Sequence, residues 1–170
     1  MHRFETTPEL ATGNRDIDKQ LQTLFSMVNE ILFSPELAQS RDQFRRAVNF
    51  MVSYIEYHFA AEELAMLERG YNSRRFHTAF HDHVRREART IAATLARQVS
   101  TEEAQSAIYF MVEDWVEYHV RDSDRQLAAY LREHAGNGAV ALPGIRPLKA
   151  AGKISADFDE QILTHVAHVA

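Results

Sequence analysis

The 170-residue chain has no cysteine, which excludes disulfide scaffolds, thiolate zinc sites, iron–sulfur clusters and a cysteine nucleophile. Glycine and proline are scarce, at six and four residues, too few for the many turns of a typical β fold. No stretch approaches the ~18 uninterrupted apolar residues of a membrane span. The opening MHRFETTPEL lacks the apolar core of a secretory signal, so a cytoplasmic protein is expected. A net charge of -5 gives no basis for general binding to nucleic acid or an anionic membrane. There is no Gly-rich phosphate loop and no Gly-x-Ser-x-Gly elbow. Histidine, by contrast, is plentiful at nine residues, and its placement carries the functional reading.

Four of the six glycines and two of the four prolines fall between Gly136 and Gly152. The chain before them has few breakers and reads as long helices. After an arm containing Pro8 and Gly13, a helix is predicted over 17–33. Its apolar residues Ile17, Leu21, Leu24, Phe25, Val28 and Leu32 follow the i, i+3, i+4, i+7 spacing of one helical face. Pro35 ends it. Ser40 with Gln43 starts a second helix that Gly70 stops. A third runs from Asn72 or Ser73 to about 98, and a fourth, opened by Ser100 with Glu103, to about 135. Short connections predict an all-α, antiparallel up-down-up-down four-helix bundle over 1–135. A Gly/Pro-containing linker and a short amphipathic helix at 158–169 are expected over 136–170. Arginines on the second and third helices are interleaved with Asp and Glu, which describes a solvated face rather than a nucleic-acid stripe.

Helix two carries His58 and Glu62 at i, i+4, on one face. Helix three carries His77 and His81 at the same spacing, and helix four carries His119 and Asp124. Each fragment alone is common on ordinary helices. Three of them, on consecutive helices of one bundle, point to a cage of nitrogen and oxygen ligands for a first-row transition metal, in which carboxylates can bridge two ions. Asp124 lies about 140° round an ideal helix from His119, so a local distortion or a second metal has to bring the two together. His2 sits in the arm, His83 points away from the His81 face, and His134 in a last helical turn favours the helix dipole. Ferritin-like di-iron bundles use Glu-x-x-His pairs. No Glu in this chain is followed three residues later by His.

The text TGNRDIDKQ at 12–20, YIEYHFAAEELAM at 54–66, HTAFH at 77–81 and WVEYHVRDSD at 115–124 resembles the hemerythrin family, specifically the bacterial hemerythrins. The likeness spans roughly 10–130. It implies a four-helix bundle around a non-haem di-iron centre that binds O2. His77, His81 and His119 would hold one iron and His58 would sit on the other. Glu62 and Asp124 would bridge them, with an oxo or hydroxo group as the third bridge. The chain departs from the family at one point. The family's first-helix motif Ile-Asp-x-Gln-His here reads Ile17-Asp18-Lys19-Gln20-Leu21. In the family the missing imidazole belongs to the O2-binding iron, so a labile second ion is expected. Water, the Tyr54 phenol or His165 are the candidate replacements; Asp18 is read as structural.

Three functions follow from these residues. The first is binding or sensing of O2, NO or redox state, with no catalysis. The second is an enzyme in which an iron with open positions reacts with O2 or peroxide. The third is a metal-poor bundle serving as an interaction module, with the C-terminal tail reaching a signalling partner. Leu21 raises the second and third against the first.

Overall fold

The computed structural model describes residues 1–97 and 99–134. Helix α1 spans Arg15–Phe33, α2 Pro35–Gln39, α3 Arg41–Glu68, α4 Arg74–Leu95 and α5 Thr101–Trp115. A π-helical segment, Val116–Asp124, continues α5 and leads without a break into α6, Arg125–Glu133. No strand occurs among the described residues, and no helix there is long and apolar enough to cross a membrane. The linker and terminal helix expected over 136–170, His165 included, lie outside the described residues.

The helix ends follow local chemistry. Asn14 caps α1 by accepting from the Asp16 and Ile17 amides. Ser40 accepts from the Gln43 amide at the start of α3, and Ser100 and Glu103 form a reciprocal capping box at α5. Gly70, at φ 65°, stops α3. Its amide donates to the Leu67 carbonyl while that of Tyr71 donates to Met66, the Schellman arrangement, and Tyr71 packs on the same apolar cluster as Met66. The expected stop at Pro35 also starts something: Ser34 caps, and Pro35 opens, the short helix α2. Proline suits a first helical position, where its missing amide has no partner to lose. The third long helix ends at Leu95, earlier than about 98.

The four long helices form a ring in which α1 packs on α3 and α5, and α4 on α3 and α5. Side chains across the ends fix the directions. Arg41 at the start of α3 donates to the Leu95 carbonyl at the end of α4, and Gln105 near the start of α5 donates to Ile31 and Leu32 at the end of α1. Arg132 at the end of α6 reaches the Thr12 carbonyl just before α1. The long helices, with α5 and α6 as one continuous rod, therefore run antiparallel to their neighbours in sequence. The interior holds two apolar clusters. The larger includes Leu24, Phe44, Ile55, Phe59 and Trp115; the smaller joins Ile17, Ala61, Ala65, Met66, Leu127 and Leu131. The histidines and carboxylates occupy the level between them.

The N-terminal arm lies along the bundle instead of trailing away. Phe4 exchanges two hydrogen bonds with the Asn29 side chain, and the Tyr109 hydroxyl meets His2 Nδ1 at 2.7 Å. Asp18 accepts from the Thr12 amide and hydroxyl at 2.8 Å each, and from the Gly13 amide at 3.3 Å. Asp18 is thus structural, as the sequence reading expects.

Candidate metal centre

All six residues picked from spacing are buried in one place. His58, Glu62, His77, His81, His119 and Asp124 are each no more than 3% exposed. Ionisable groups so deep need partners or a metal. One ligand atom from each of Glu62, His77, His81, His119 and Asp124 falls within 4.8 Å of the others, a set that could hold a metal ion. Glu62 Oε2 lies 3.2 Å from Nε2 of both His77 and His81. Asp124 Oδ1 lies 3.0 Å from His119 Nε2 and 3.4 Å from His77 Nε2. The Nε2 atoms of His81 and His119 face each other at 3.1 Å.

The π-helical turn explains how His119 and Asp124 meet. Five residues along an α-helix end about 140° apart. A π-helix closes its hydrogen bonds from i to i+5, so the fifth residue comes round over the first. The segment begins at Val116 and ends at Asp124, enclosing the pair. The distortion that the spacing demands is present in the backbone.

His58 stands to one side of the five. Its Nε2 faces Glu62 Oε1 at 3.7 Å, beyond hydrogen-bond reach. On the other side of the ring, Nδ1–H donates to Gln20 Oε1 at 2.9 Å, which leaves Nε2 aimed inward with a free lone pair. His58 Nε2, Glu62 Oε1 and both Asp124 oxygens are buried without a hydrogen-bond partner among the described residues. Buried polar atoms are normally satisfied, and four unsatisfied acceptors in one place describe a cradle for cations. Burial holds the His58 imidazole below its usual range despite the nearby Glu62 charge. Burial pushes Glu62 up, but its electrostatic interaction with the nearby His58 and hydrogen bonds from His77 and His81 outweigh it and hold the carboxyl well below its ordinary value. A neutral imidazole and an ionised carboxylate are the forms that bind metals.

Aromatic rings wall the centre. Phe59 stacks on His81 with centroids 3.8 Å apart, and Phe80 on His119 at 4.5 Å. Trp115 is fully buried beside His58. Of the substitute ligands, Tyr54 is otherwise engaged: its hydroxyl donates to the Gln20 backbone carbonyl at 3.3 Å. Leu21 is 2% exposed and supplies no donor atom. His83 is exposed beside Glu87, and His134 donates Nδ1–H to the Tyr130 carbonyl at the end of α6. Sequence reasoning assigned no role to Gln20 or Glu63, although both stand inside the motifs, and it read Arg85 as part of a solvated face; Arg85 is instead 14% exposed and held by Glu56 and Glu63. A polar Gln20 beside an apolar stripe, and an Arg85 one turn beyond His81, were the available signals.

Comparison with known proteins agrees with this geometry. The family model described as the hemerythrin HHE cation binding domain matches residues 8–131. A bacteriohemerythrin of Methylococcus capsulatus is 28% identical over 123 residues, covering 71% of this chain and 89% of that protein. No solved structure matches. A four-helix ring with imidazoles and carboxylates buried at one level, and a family match spanning that whole ring, lead to one conclusion: the chain belongs to the hemerythrin family.

Proposed function

We propose that this chain is a non-haem di-iron protein that binds or senses O2 or a similar diatomic such as NO. His77, His81 and His119 would hold one iron and His58 the other, with Glu62, Asp124 and an oxo or hydroxo group bridging them. One observation carries the reading. Glu62 directs Oε2 at His77 and His81, 3.2 Å from each, and Oε1 at His58. A carboxylate whose two oxygens face two separate imidazole groups is arranged to serve two ions. Asp124 adds a second buried carboxylate, with Oδ1 beside His77 and His119 and neither oxygen hydrogen-bonded among the described residues. When bound, iron supplies a redox-active Lewis acid with positions open to a diatomic ligand. The chain's own part is to aim Nε2 of His58 through Gln20 and to exclude water with Phe59, Phe80 and Trp115. Iron per chain and the near-ultraviolet and visible spectrum, measured after anaerobic loading and reoxidation, test this. Two irons per chain with oxo-bridge absorption are expected; a protein that retains no iron refutes it.

Leu21 favours a second reading on the same centre. With an apolar side chain at this position, His58, Glu62 and Asp124 are the donors left for the second iron. Open coordination positions suit reaction with O2 or peroxide better than holding O2. Repeated cycles between O2 and argon distinguish the two: a spectrum that returns each cycle belongs to a carrier or sensor, and one that converts once to the oxidised form, with turnover of peroxide, belongs to an enzyme.

A further inference from the structure

The four buried imidazoles are not held alike. His58 gives its Nδ1–H to a neutral amide, Gln20. Nδ1 of His77 and of His119 has no hydrogen-bond partner among the described residues. His81 alone gives its Nδ1–H to a carboxylate, Glu63 Oε1, at 2.8 Å. That oxygen also accepts from Arg85 Nη1 at 2.8 Å. Arg85 Nε donates to Glu56 Oε2 at 2.8 Å, and Glu56 Oε1 accepts from Arg89 at 2.5 Å. A string of alternating charge therefore leads from His81 outward, with Arg85 14% and Glu63 29% exposed and Arg89 at the surface. Arg85 also covers the Phe59 ring, 5.2 Å from its centroid, and that ring stacks on His81. His81 is thus fixed both in its plane and along its Nδ1–H direction.

Resting on the metal reading above, we infer that Glu63 is a positioning residue that makes His81 the anchoring ligand of the centre, with Arg85 and Glu56 holding Glu63 in place. A carboxylate on the far nitrogen fixes the tautomer, aims Nε2 at the ion and makes the imidazole a stronger donor. Only the metal position served by His81 receives this support. The position at His58 has a neutral partner and, through Leu21, one donor fewer. The unequal outer partners make the centre load in order, first at His77–His81–His119 and then at His58.

The test uses the metal-free full-length protein titrated with Co(II), whose visible absorption reports binding. Wild type is compared with His81→Ala, Glu63→Ala, Glu63→Gln and, as an exposed-charge control, Asp42→Asn. Wild type is expected to bind in two resolved steps. Glu63→Ala should weaken the first step about 10- to 100-fold, the usual effect of removing a ligand's outer partner. Glu63→Gln keeps an oxygen acceptor and should recover most of that loss. In the zinc-loaded protein, the His81 Nδ1–H should exchange slowly by NMR in wild type and the Gln variant, and fast in the Ala variant. A merely structural Glu63 would move neither the exchange rate nor the order of loading. If wild type binds and His81→Ala does not, while Glu63→Ala binds within twofold of wild type with His81 Nδ1–H still protected, the inference is overturned and the metal reading stands. If wild type takes up no Co(II), both fall. Should Glu63→Ala fail to fold, Arg85→Met, which releases Glu63 without removing it, supplies the comparison; wild-type affinity and protection in that variant overturn the inference.

Discussion

Replacing Leu21 by His should have effects of different size with and without iron. Leu21 belongs to the larger apolar cluster, one turn after Ile17 of the smaller one, and follows Gln20, whose side chain bonds His58. It therefore lies at the edge of the level that holds the buried histidines and carboxylates. In metal-free protein the substitution removes a leucine that is 2% exposed. It also buries an imidazole among groups that offer it no dedicated partner. Loss of the apolar side chain and an unsatisfied ring nitrogen together should cost about 3–5 kcal/mol, a large part of a typical domain's stability. On the proposed di-iron reading, the new imidazole would complete the second ion's ligand set when iron is present. A tenfold gain in affinity returns about 1.4 kcal/mol at saturation, and a hundredfold gain twice that. Anaerobic urea unfolding of wild type and Leu21→His, with and without Fe(II), measures both penalties. The iron-loaded penalty should be the smaller by at least one such step, and the variant's oxygenated spectrum should outlast that of wild type. The outer side of Leu21 lines a cleft of about 600 Å³ between the arm and α1. An imidazole that turned into this cleft would remain solvated. Equal penalties with and without iron would then result, and they would refute the placement of Leu21 against the second metal position.

Three further outcomes are expected. His119→Ala should lose most bound iron, measured by metal analysis of the purified variant, because it removes a donor from the position richest in imidazoles; unchanged iron content ends that assignment. Glu62→Gln should abolish the second ion and the oxo-bridge absorption together, and survival of a coupled di-ferric signal counts against bridging. Metal-free protein should be most stable near pH 6.5, the ordinary histidine value. Burial, ahead of all other causes, lowers the folded-state pKa of His58, so its contribution is lost as pH falls below that value. Glu62 is also depressed, and its contribution disappears further down, below 4.5. Burial lowers His81, but hydrogen bonds to Glu62 and Glu63 outweigh it and raise the imidazole. The His81 contribution is complete below 6.5 and is lost as pH rises through the folded value. Urea midpoints from pH 4 to 9 that climb without a maximum would contradict the His81 direction.

How far the sequence revealed this molecule depended on whether a feature was local. Helix ends were legible where their chemistry is complete within four or five residues, as with Ser40 and Gln43, Ser100 and Glu103, and Gly70 after Glu68; the Asn14 cap that starts α1 at Arg15, two residues before the expected start, was not read. The pairs His58–Glu62 and His77–His81 were legible because i, i+4 spacing puts both members on one face of any α-helix. His119 and Asp124 tested that rule. Their spacing is wrong for an α-helix, which left a local distortion or a second metal to bring them together, and the backbone supplies the distortion as a π-helix. A π turn is costly and rare, and here it brings two buried polar side chains, His119 and Asp124, to 3.0 Å. What the sequence concealed were partners supplied by another helix. Gln20 reaches His58 across 38 positions and Arg85 reaches Glu56 across 29, and no periodicity encodes such pairings. Glu63 was hidden for a different reason. It follows Glu62 directly, and adjacent helical residues point about 100° apart, so one carboxylate of the doublet faces the centre while the other meets His81 from outside. Two identical side chains in succession thus take two different tasks, and only the packing of α4 against α3 decides which is which.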